Sequence, residues 1–449
     1  MAGEGETIVA PATPRGTSAI AVVRVSGPET RNAFRALFGT EPPAPRRMKL
    51  ARWRDASGAV VDEMLAVFFP GPNSFTGEDS AEFFPHGNPL LSARLVREIA
   101  RLPGCRVAEP GEFTRRAFEN GKIDLAQAEA VAAAIHARTD AALKLARRLA
   151  EGKLSAEVRD LADSATRLSA LVELEMDFAE EEADPDVASW GGEIGKIRGQ
   201  VQKLLRGWER ARRAARVPRV VLCGAPNAGK SSLANALLEE DRLLVSDRPG
   251  TTRDWVEAAL ALPGGEVSLC DTAGLGDAVD ELDAKSQERS RALLAGADLV
   301  LLVEDGTATG AASPALPGIP DGIPVLAVRT RADLPAFRGS PAAGADVFPV
   351  GCPDGTGIPA LRERIGEIVF SRVDDGEALV ATERQADALE KADGLLAEAE
   401  SVLAARARTS PEIVADLLRR AREELRTITG EIAPDDVLDR IFSGFCIGK

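Results

Sequence analysis

The sequence predicts a multidomain α/β plus α protein: an N-terminal α+β domain, a helical domain, and a nucleotide-binding domain on a parallel sheet inserted into the helical one. Three observations carry this. At 449 residues the chain exceeds what one ordinary core serves, so two to four domains are expected. Between Arg219 and about Val369 apolar strand-like runs alternate with helical stretches, the pattern of a parallel sheet with crossovers. Glycine-poor stretches rich in Ala, Leu, Glu and Arg lie on both sides of that segment.

Residues 1–118 mix short β-like runs, 20–25 and 64–69, with Pro/Gly turns and one amphipathic stretch near 90–100, which reads as a compact α+β domain. Residues 119–216 change character, with stretches such as Leu125-Ala126-Gln127-Ala128-Glu129-Ala130-Val131 at helical spacing. Helical composition returns within 372–449, at 386–407 and 411–428, so the two parts form one discontinuous domain whose halves should pack together. The intervening 217–371 carries apolar strands at 220–223, 267–270, 298–303, 324–328 and 346–350. A Pro/Gly-rich segment at 313–322 reads as a surface loop. The acidic cluster at 180–186 reads as a solvated turn in preference to a metal site. The basic run Arg206, Arg210, Arg212, Arg213, Arg216, Arg219 reads as a solvated helix face in preference to an RNA contact.

Composition bounds the function. Hydrophobic residues at 45% and charged residues at 28% are ordinary for soluble globular chains, and no apolar run approaches the roughly 18 residues of a bilayer span. The first residues lack the basic-then-apolar order of a secretory signal, so a cytoplasmic protein is expected. The five cysteines, at 105, 223, 270, 352 and 446, never take C-x-x-C spacing, and only His86 and His136 accompany them. A disulfide framework and a structural zinc are therefore disfavoured. A formal net charge of −15 works against a broad grip on nucleic acid, so any RNA contact must be local.

The most informative stretch is Gly224-Ala225-Pro226-Asn227-Ala228-Gly229-Lys230-Ser231-Ser232, directly after the apolar run Val220-Val221-Leu222-Cys223. It fits G-x-x-x-x-G-K-S, in which glycines turn the backbone so that successive N–H groups face one anion at the start of a helix. Lys230 would reach the β- and γ-phosphates, and the Ser231 hydroxyl would bind Mg2+. Downstream, Ser246-Asp247-Arg248-Pro249 leads into Gly250-Thr251-Thr252-Arg253-Asp254, where Thr252 can give Mg2+ a hydroxyl and the γ-phosphate a backbone N–H. Asp271-Thr272-Ala273-Gly274 follows a strand, with Asp271 to hold Mg2+ through water and the Gly274 N–H to sense the γ-phosphate. Three phosphate-sensing elements in this order define a GTPase-type switch on a Ras-like P-loop G domain.

Base choice usually rests on Asn-Lys-x-Asp, and the corresponding position reads Thr330-Arg331-Ala332-Asp333. Asp333 can accept two hydrogen bonds from guanine N1 and N2, which adenine cannot supply, so guanine is favoured while loss of the Asn and Lys weakens the pocket. The fifth element, normally Ser-Ala, appears as Gly351-Cys352. Leu275 stands where Ras-like proteins place a water-orienting glutamine, so charge neutralisation must come from elsewhere. Asn227 and the carbonyls of Ser246, Arg248 and Thr251 are oxygen donors suited to a hard monovalent cation, although an asparagine here could instead merely tighten the loop.

These motifs resemble those of the MnmE (TrmE) family of tRNA uridine modification GTPases. Pro72-Asn73-Ser74-Phe75-Thr76-Gly77-Glu78-Asp79, Pro110-Gly111-Glu112-Phe113-Thr114, Asn120-Gly121-Lys122-Ile123-Asp124-Leu125 and the last five residues, Phe445-Cys446-Ile447-Gly448-Lys449, extend the likeness over essentially the whole chain. The resemblance implies an N-terminal tetrahydrofolate-binding domain that dimerises, a helical domain, and an inserted G domain whose dimerisation drives GTP hydrolysis with K+ in place of an arginine finger. It implies that Arg24, Glu82, Lys122 and Lys449 bind the folate, a 5-formyl- or 5,10-methylene-tetrahydrofolate. Arg and Lys suit its carboxylates or formyl oxygen and Glu82 its pterin donors. Cys446 would face the one-carbon chemistry, a buried packing cysteine being the alternative.

The same resemblance implies a homodimer that joins the FAD-dependent MnmG in a heterotetramer and installs a carboxymethylaminomethyl-type group on carbon 5 of the wobble uridine (U34) of certain tRNAs. The family's catalytic glutamate aligns with Asp283, one methylene shorter, so its reach to the hydrolytic water depends on switch movement or on Glu281. Two other readings stay open. A GTP-switched assembly factor leaves the N-terminal motifs and Cys446 unexplained. A folate-binding scaffold with a degenerate G domain accounts for the departures at Thr330-Arg331 and Gly351-Cys352.

Overall fold

Two sheets and a set of long helices form from these segments in a computed structural model that describes residues 5–55, 57–178, 187–239, 257–271, 292–308, 319–338, 347–371, 378–405 and 411–449. The chain divides into two units, one of Met1–Ile135, Ala146–Leu205 and Leu379–Lys449, the other of His136–Leu145 and Arg206–Ala378.

In the first unit, β1 (Thr7–Pro11), β2 (Val23–Ser26), β3 (Lys49–Arg54), β4 (Val60–Phe69), β5 (Ser80–Phe84) and β6 (Cys105–Val107) form a sheet ordered β3-β4-β5-β2-β1-β6. Its pairs are antiparallel apart from β1 with β6. Helices α1 (Thr30–Phe38) and α2 (Pro89–Ala100) lay Phe34, Leu37, Leu95 and Ile99 onto Trp53, Met64, Phe68 and Phe83 of the sheet. Helix α2 starts where Asn88 accepts from Leu90 N and Pro89 occupies the first turn, a position in which its missing N–H costs nothing. The strand expected at 20–25 is confined to β2, since Ile20 makes only an isolated bridge to His86.

The helices follow as α3 (Glu112–Glu119), α4 (Leu125–His136), α5 (Asp140–Ala150), α6 (Lys153–Phe178) and α7 (Val187–Ala215). Later in the chain come α10 (Glu383–Ala404), α11 (Pro411–Thr429) and α12 (Asp435–Ser443). Within the first unit α6 packs on α11 and α11 on α10. Buried Glu129 of α4 takes Arg384 in both arms, at 2.7 and 2.8 Å, and Gln385 Nε2 at 2.6 Å, both from α10. Arg198 of α7 pairs with Asp393 at 3.1 Å and Glu400 at 2.6 Å. Segments far apart in sequence are therefore joined by charges whose desolvation is offset by several hydrogen bonds each.

The second unit holds β7 (Arg219–Cys223), α8 (Lys230–Glu239), β8 (Glu257–Leu262), β9 (Gly265–Asp271), helical residues 292–295 (α9), β10 (Leu299–Asp305), β11 (Val325–Thr330), β12 (Val347–Pro349) and helix Ile358–Phe370. The sheet order is β12-β11-β10-β7-β9-β8. Along β7, Val220 and Leu222 enter one buried cluster with Leu233, Leu237, Leu361 and Ile365, while Val221 and Cys223 enter another with Leu293 and Leu294. Helices thus cover both faces, as parallel sheets require. To the parallel strands the structure adds β8, an antiparallel edge strand joined to β9 through Pro263-Gly264. Its Glu-Ala-Ala-Leu-Ala-Leu composition carries no β-branched residue to announce it. Among the described residues, no helix is long and apolar enough to cross a membrane.

Candidate functional sites

The first site stands at the carboxyl end of β7. Gly224 turns at φ 156 with the Val303 carbonyl so near that an added Cβ would come within 2.2 Å of its oxygen, so only glycine fits. Asn227, at φ 61, and Ala225 are exposed on the loop, and Ala228 is buried beneath it. Lys230, the first residue of α8, donates from Nζ to Gly224 O at 3.0 Å and Ala225 O at 2.9 Å, so its ammonium spans the loop. Exposed Ser231 donates to Asp271 Oδ2 at 3.0 Å, and Ser232 is exposed beside it. A hydroxyl and a carboxylate converging at a helix N-terminus are the oxygen donors that Mg2+ prefers.

The base-reading element closes on the same loop. Thr330 Oγ1 lies 2.7 Å from Ala228 O, and Arg331, at φ 64, pairs with Asp305 at 2.7 Å. Ala332 N donates to Val350 O at 3.0 Å, which sets Asp333 beside Gly351 and Cys352. Burial, with Asp333 and Asp354 adding, pushes the Cys352 thiol up, so it stays protonated. Ser246, Asp247, Arg248, Pro249, Gly250, Thr251, Thr252, Thr272, Ala273, Gly274, Glu281 and Asp283 lie outside the described residues.

The second site is a cavity of about 500 Å3 in the first unit, a size that suits a cofactor, lined by Arg24, Arg46, Asn73, Phe75, Glu82 and Lys122 among others. Arg24 on β2 faces Glu82 on β5 across the sheet and donates to it at 3.0 and 2.8 Å. Its third nitrogen reaches Gly448 O at 3.4 Å, and its guanidinium carbon stands 5.8 Å from the Phe75 and Phe113 ring centres. Lys122 Nζ donates to Pro72 O at 2.9 Å. Gly448, at φ 93, passes Pro11 O so closely that a Cβ would sit 2.2 Å from it. That passage brings Lys449 to the Arg24–Glu82 pair. Its ammonium is held below its ordinary value by burial first and then by Arg24. Cys446 is exposed rather than buried in packing.

All four sequence-selected residues therefore gather in one region, where with Arg46 four cations outnumber Glu82 and favour an anionic ligand. Sequence reasoning missed Arg46, whose φ of 59 turns it so that its guanidinium lies 5.5 Å from the Phe69 ring centre. No local motif marks it. Asn73, Ser74, Phe75 and Thr76 belong to the Pro72–Asp79 motif, which does not by itself mark them as cavity wall. Among the described residues no group of three or more His, Cys, Asp or Glu side chains is arranged to hold a metal.

The family model for the MnmE helical domain matches residues 125–446, and that for the GTP-binding protein TrmE N-terminus matches residues 7–122. The chain is similar to the tRNA modification GTPase MnmE of Methylorubrum populi, 42% identical over 99% of this chain and 98% of that one. It is also 42% identical to the protein of that name from Alkalilimnicola ehrlichii, over 99% of each. The Phenylobacterium zucineum protein of the same name is 41% identical over 99% of this chain and 100% of its own.

Proposed function

Because the chain belongs to the MnmE family, we propose that it is a K+-stimulated GTP hydrolase that, with FAD-dependent MnmG, modifies carbon 5 of the wobble uridine of certain tRNAs using a tetrahydrofolate one-carbon unit. The observation that carries the reading is the Ser231–Asp271 contact of 3.0 Å at the mouth of a loop spanned by Lys230. In this reading Ser231 and Thr252 hold Mg2+, with Asp271 behind them, and Lys230 sets its charge against the β- and γ-phosphates. Asn227 and the carbonyls of Ser246, Arg248 and Thr251 hold K+. Asp283 orients the attacking water. A cation in this place takes over the charge neutralisation that is worth about 10³ to 10⁵ in rate when an arginine finger supplies it.

The cavity takes the folate, with Arg24, Lys122 and Lys449 toward its oxygens and Glu82 toward its pterin donors. In this reading Cys446, which is exposed, serves the one-carbon chemistry. The reading includes a cytoplasmic homodimer built through residues 1–118, helical residues 119–216 with 372–449, and a G domain of 217–371. Binding of MnmG completes the heterotetramer.

GTP turnover by the purified chain in KCl and in NaCl tests it. Turnover at least ~10-fold faster in KCl is expected, equal rates would remove the K+ role, and none in either salt would favour a scaffold. Mass spectrometry of wobble uridines from a deletion strain separates modification from assembly work. Fully modified uridines there would exclude the first.

A further inference from the structure

Thr330 and Arg331 replace the Asn and Lys of the usual base-reading element, and their contacts define what each now does. Thr330, at the end of β11, is only 1% exposed. Among the described residues its hydroxyl has two hydrogen-bond acceptors, Ala228 O at 2.7 Å in the phosphate loop and Glu304 O at 3.2 Å in β10. Both are carbonyls, which only accept, so the single hydrogen a hydroxyl can donate is spent on the protein. An asparagine in its place brings two N–H donors, one for the loop and one left over for a ligand. Purine N7 accepts and never donates, so Thr330 has nothing to offer it.

Arg331 is likewise committed. Its backbone at φ 64 turns the guanidinium back to Asp305, at 2.7 Å, while another nitrogen donates to Asn227 O at 3.3 Å. Thr330 and Arg331 therefore tie two consecutive carbonyls of the phosphate loop, Asn227 and Ala228, to the base-reading strand. Asp333 pairs with no cation among the described residues, which leaves its carboxylate available.

We propose that this element reads guanine through Asp333 at N1 and N2 with no hydrogen bond to N7, Thr330 and Arg331 serving as braces that hold the phosphate loop. The proposal rests on the GTP-binding reading above and names the specificity determinants of that site. It makes the chain indifferent to N7 and sensitive to the 2-amino group.

Competition against fluorescent mant-GDP on the full-length chain with Mg2+ reads both properties. 7-Deaza-GTP, which carries C–H in place of N7, should bind within ~2-fold of GTP, whereas inosine triphosphate, lacking the 2-amino group, should bind ~10-fold or more weakly, since a hydrogen bond to a charged group is lost. Thr330→Asn should create a preference of ~5-fold for GTP over 7-deaza-GTP by restoring the spare donor. Thr330→Val, which keeps the shape without the hydroxyl, should weaken both nucleotides equally. Loss of about 5-fold or more for 7-deaza-GTP on the unaltered chain overturns the proposal, and so do unchanged affinities in Thr330→Val. If GTP itself fails to displace mant-GDP, the GTP-binding reading falls, an outcome distinct from GTP binding with N7 discrimination.

Discussion

Lys449 holds its charge against two unfavourable influences, burial and the neighbouring Arg24, with Glu82 and Cys446 pulling the other way. An anion placed beside it would offset both and return its pKa toward the ordinary lysine value. The free ammonium titrates early and the bound one late, so in the interval below about pH 10 binding must take up protons. Calorimetry of 5-formyl-tetrahydrofolate at alkaline pH, in two buffers of different ionisation heat, should register that uptake, and Lys449→Met should abolish it. Heats independent of the buffer would mean that Lys449 does not meet the ligand's charge. Arg24, Glu82 and Lys122 were legible because each sits in or near a recognisable run of residues. Arg46 and the Thr330 brace were not, because each acts through a contact between segments well separated in sequence, 102 residues apart for Thr330 and Ala228.

Helix α3 shows how an element is fixed by a side chain whose role no periodicity announces. Glu112 in its first turn is 4% exposed and accepts from Arg106 at 2.8 Å, Arg116 at 3.0 Å and the Glu109 amide at 2.9 Å. Burial pushes this carboxyl up, but Arg106, the amide and Arg116 outweigh it and leave it below its ordinary value. A depressed carboxyl contributes stability above its unfolded pKa, lost as pH falls through the folded one, so the loss falls in the range below about pH 4.3. Urea melts at neutral and acid pH should show Glu112→Gln less stable by about 3 kcal/mol at pH 7, with the gap to the unaltered chain narrowing in acid. A gap that does not narrow would mean the carboxylate's charge contributes nothing. At this scale the long helices α10 and α11 were legible within a few residues, since their apolar positions recur at helical spacing for three turns or more. Strand β8 was not, because alanines at an edge strand give no alternation strong enough to read.

The inserted domain raises the question of whether the rest of the chain needs it. Gly207 and Ala378 adjoin, with a Cβ at Gly207 falling 3.5 Å from Ala378 Cα, so the chain leaves and returns at neighbouring points. Such closeness is what allows one domain to sit inside another without straining its host. The contacts that close the first unit, Glu129 with Arg384 and Arg198 with Glu400, also draw no residue from 206–378. Replacing 206–378 by a short Gly/Ser linker should therefore leave a chain that melts cooperatively, keeps its helical circular dichroism and loses all nucleotide binding. One local cost is expected. Residues 136–145 would lose the β8–β9 turn, against which Thr139 bridges Gly265 and Asp140 N donates to Gly264 O at 3.0 Å, so hydrogen exchange should rise there first. Affinity for 5-formyl-tetrahydrofolate should stay within ~3-fold of the full chain, because every described residue lining the cavity belongs to the retained unit. An excised chain that is cooperatively folded yet no longer binds the folate, beside a full chain that does, would show that the cavity depends on the removed domain despite drawing no wall from it.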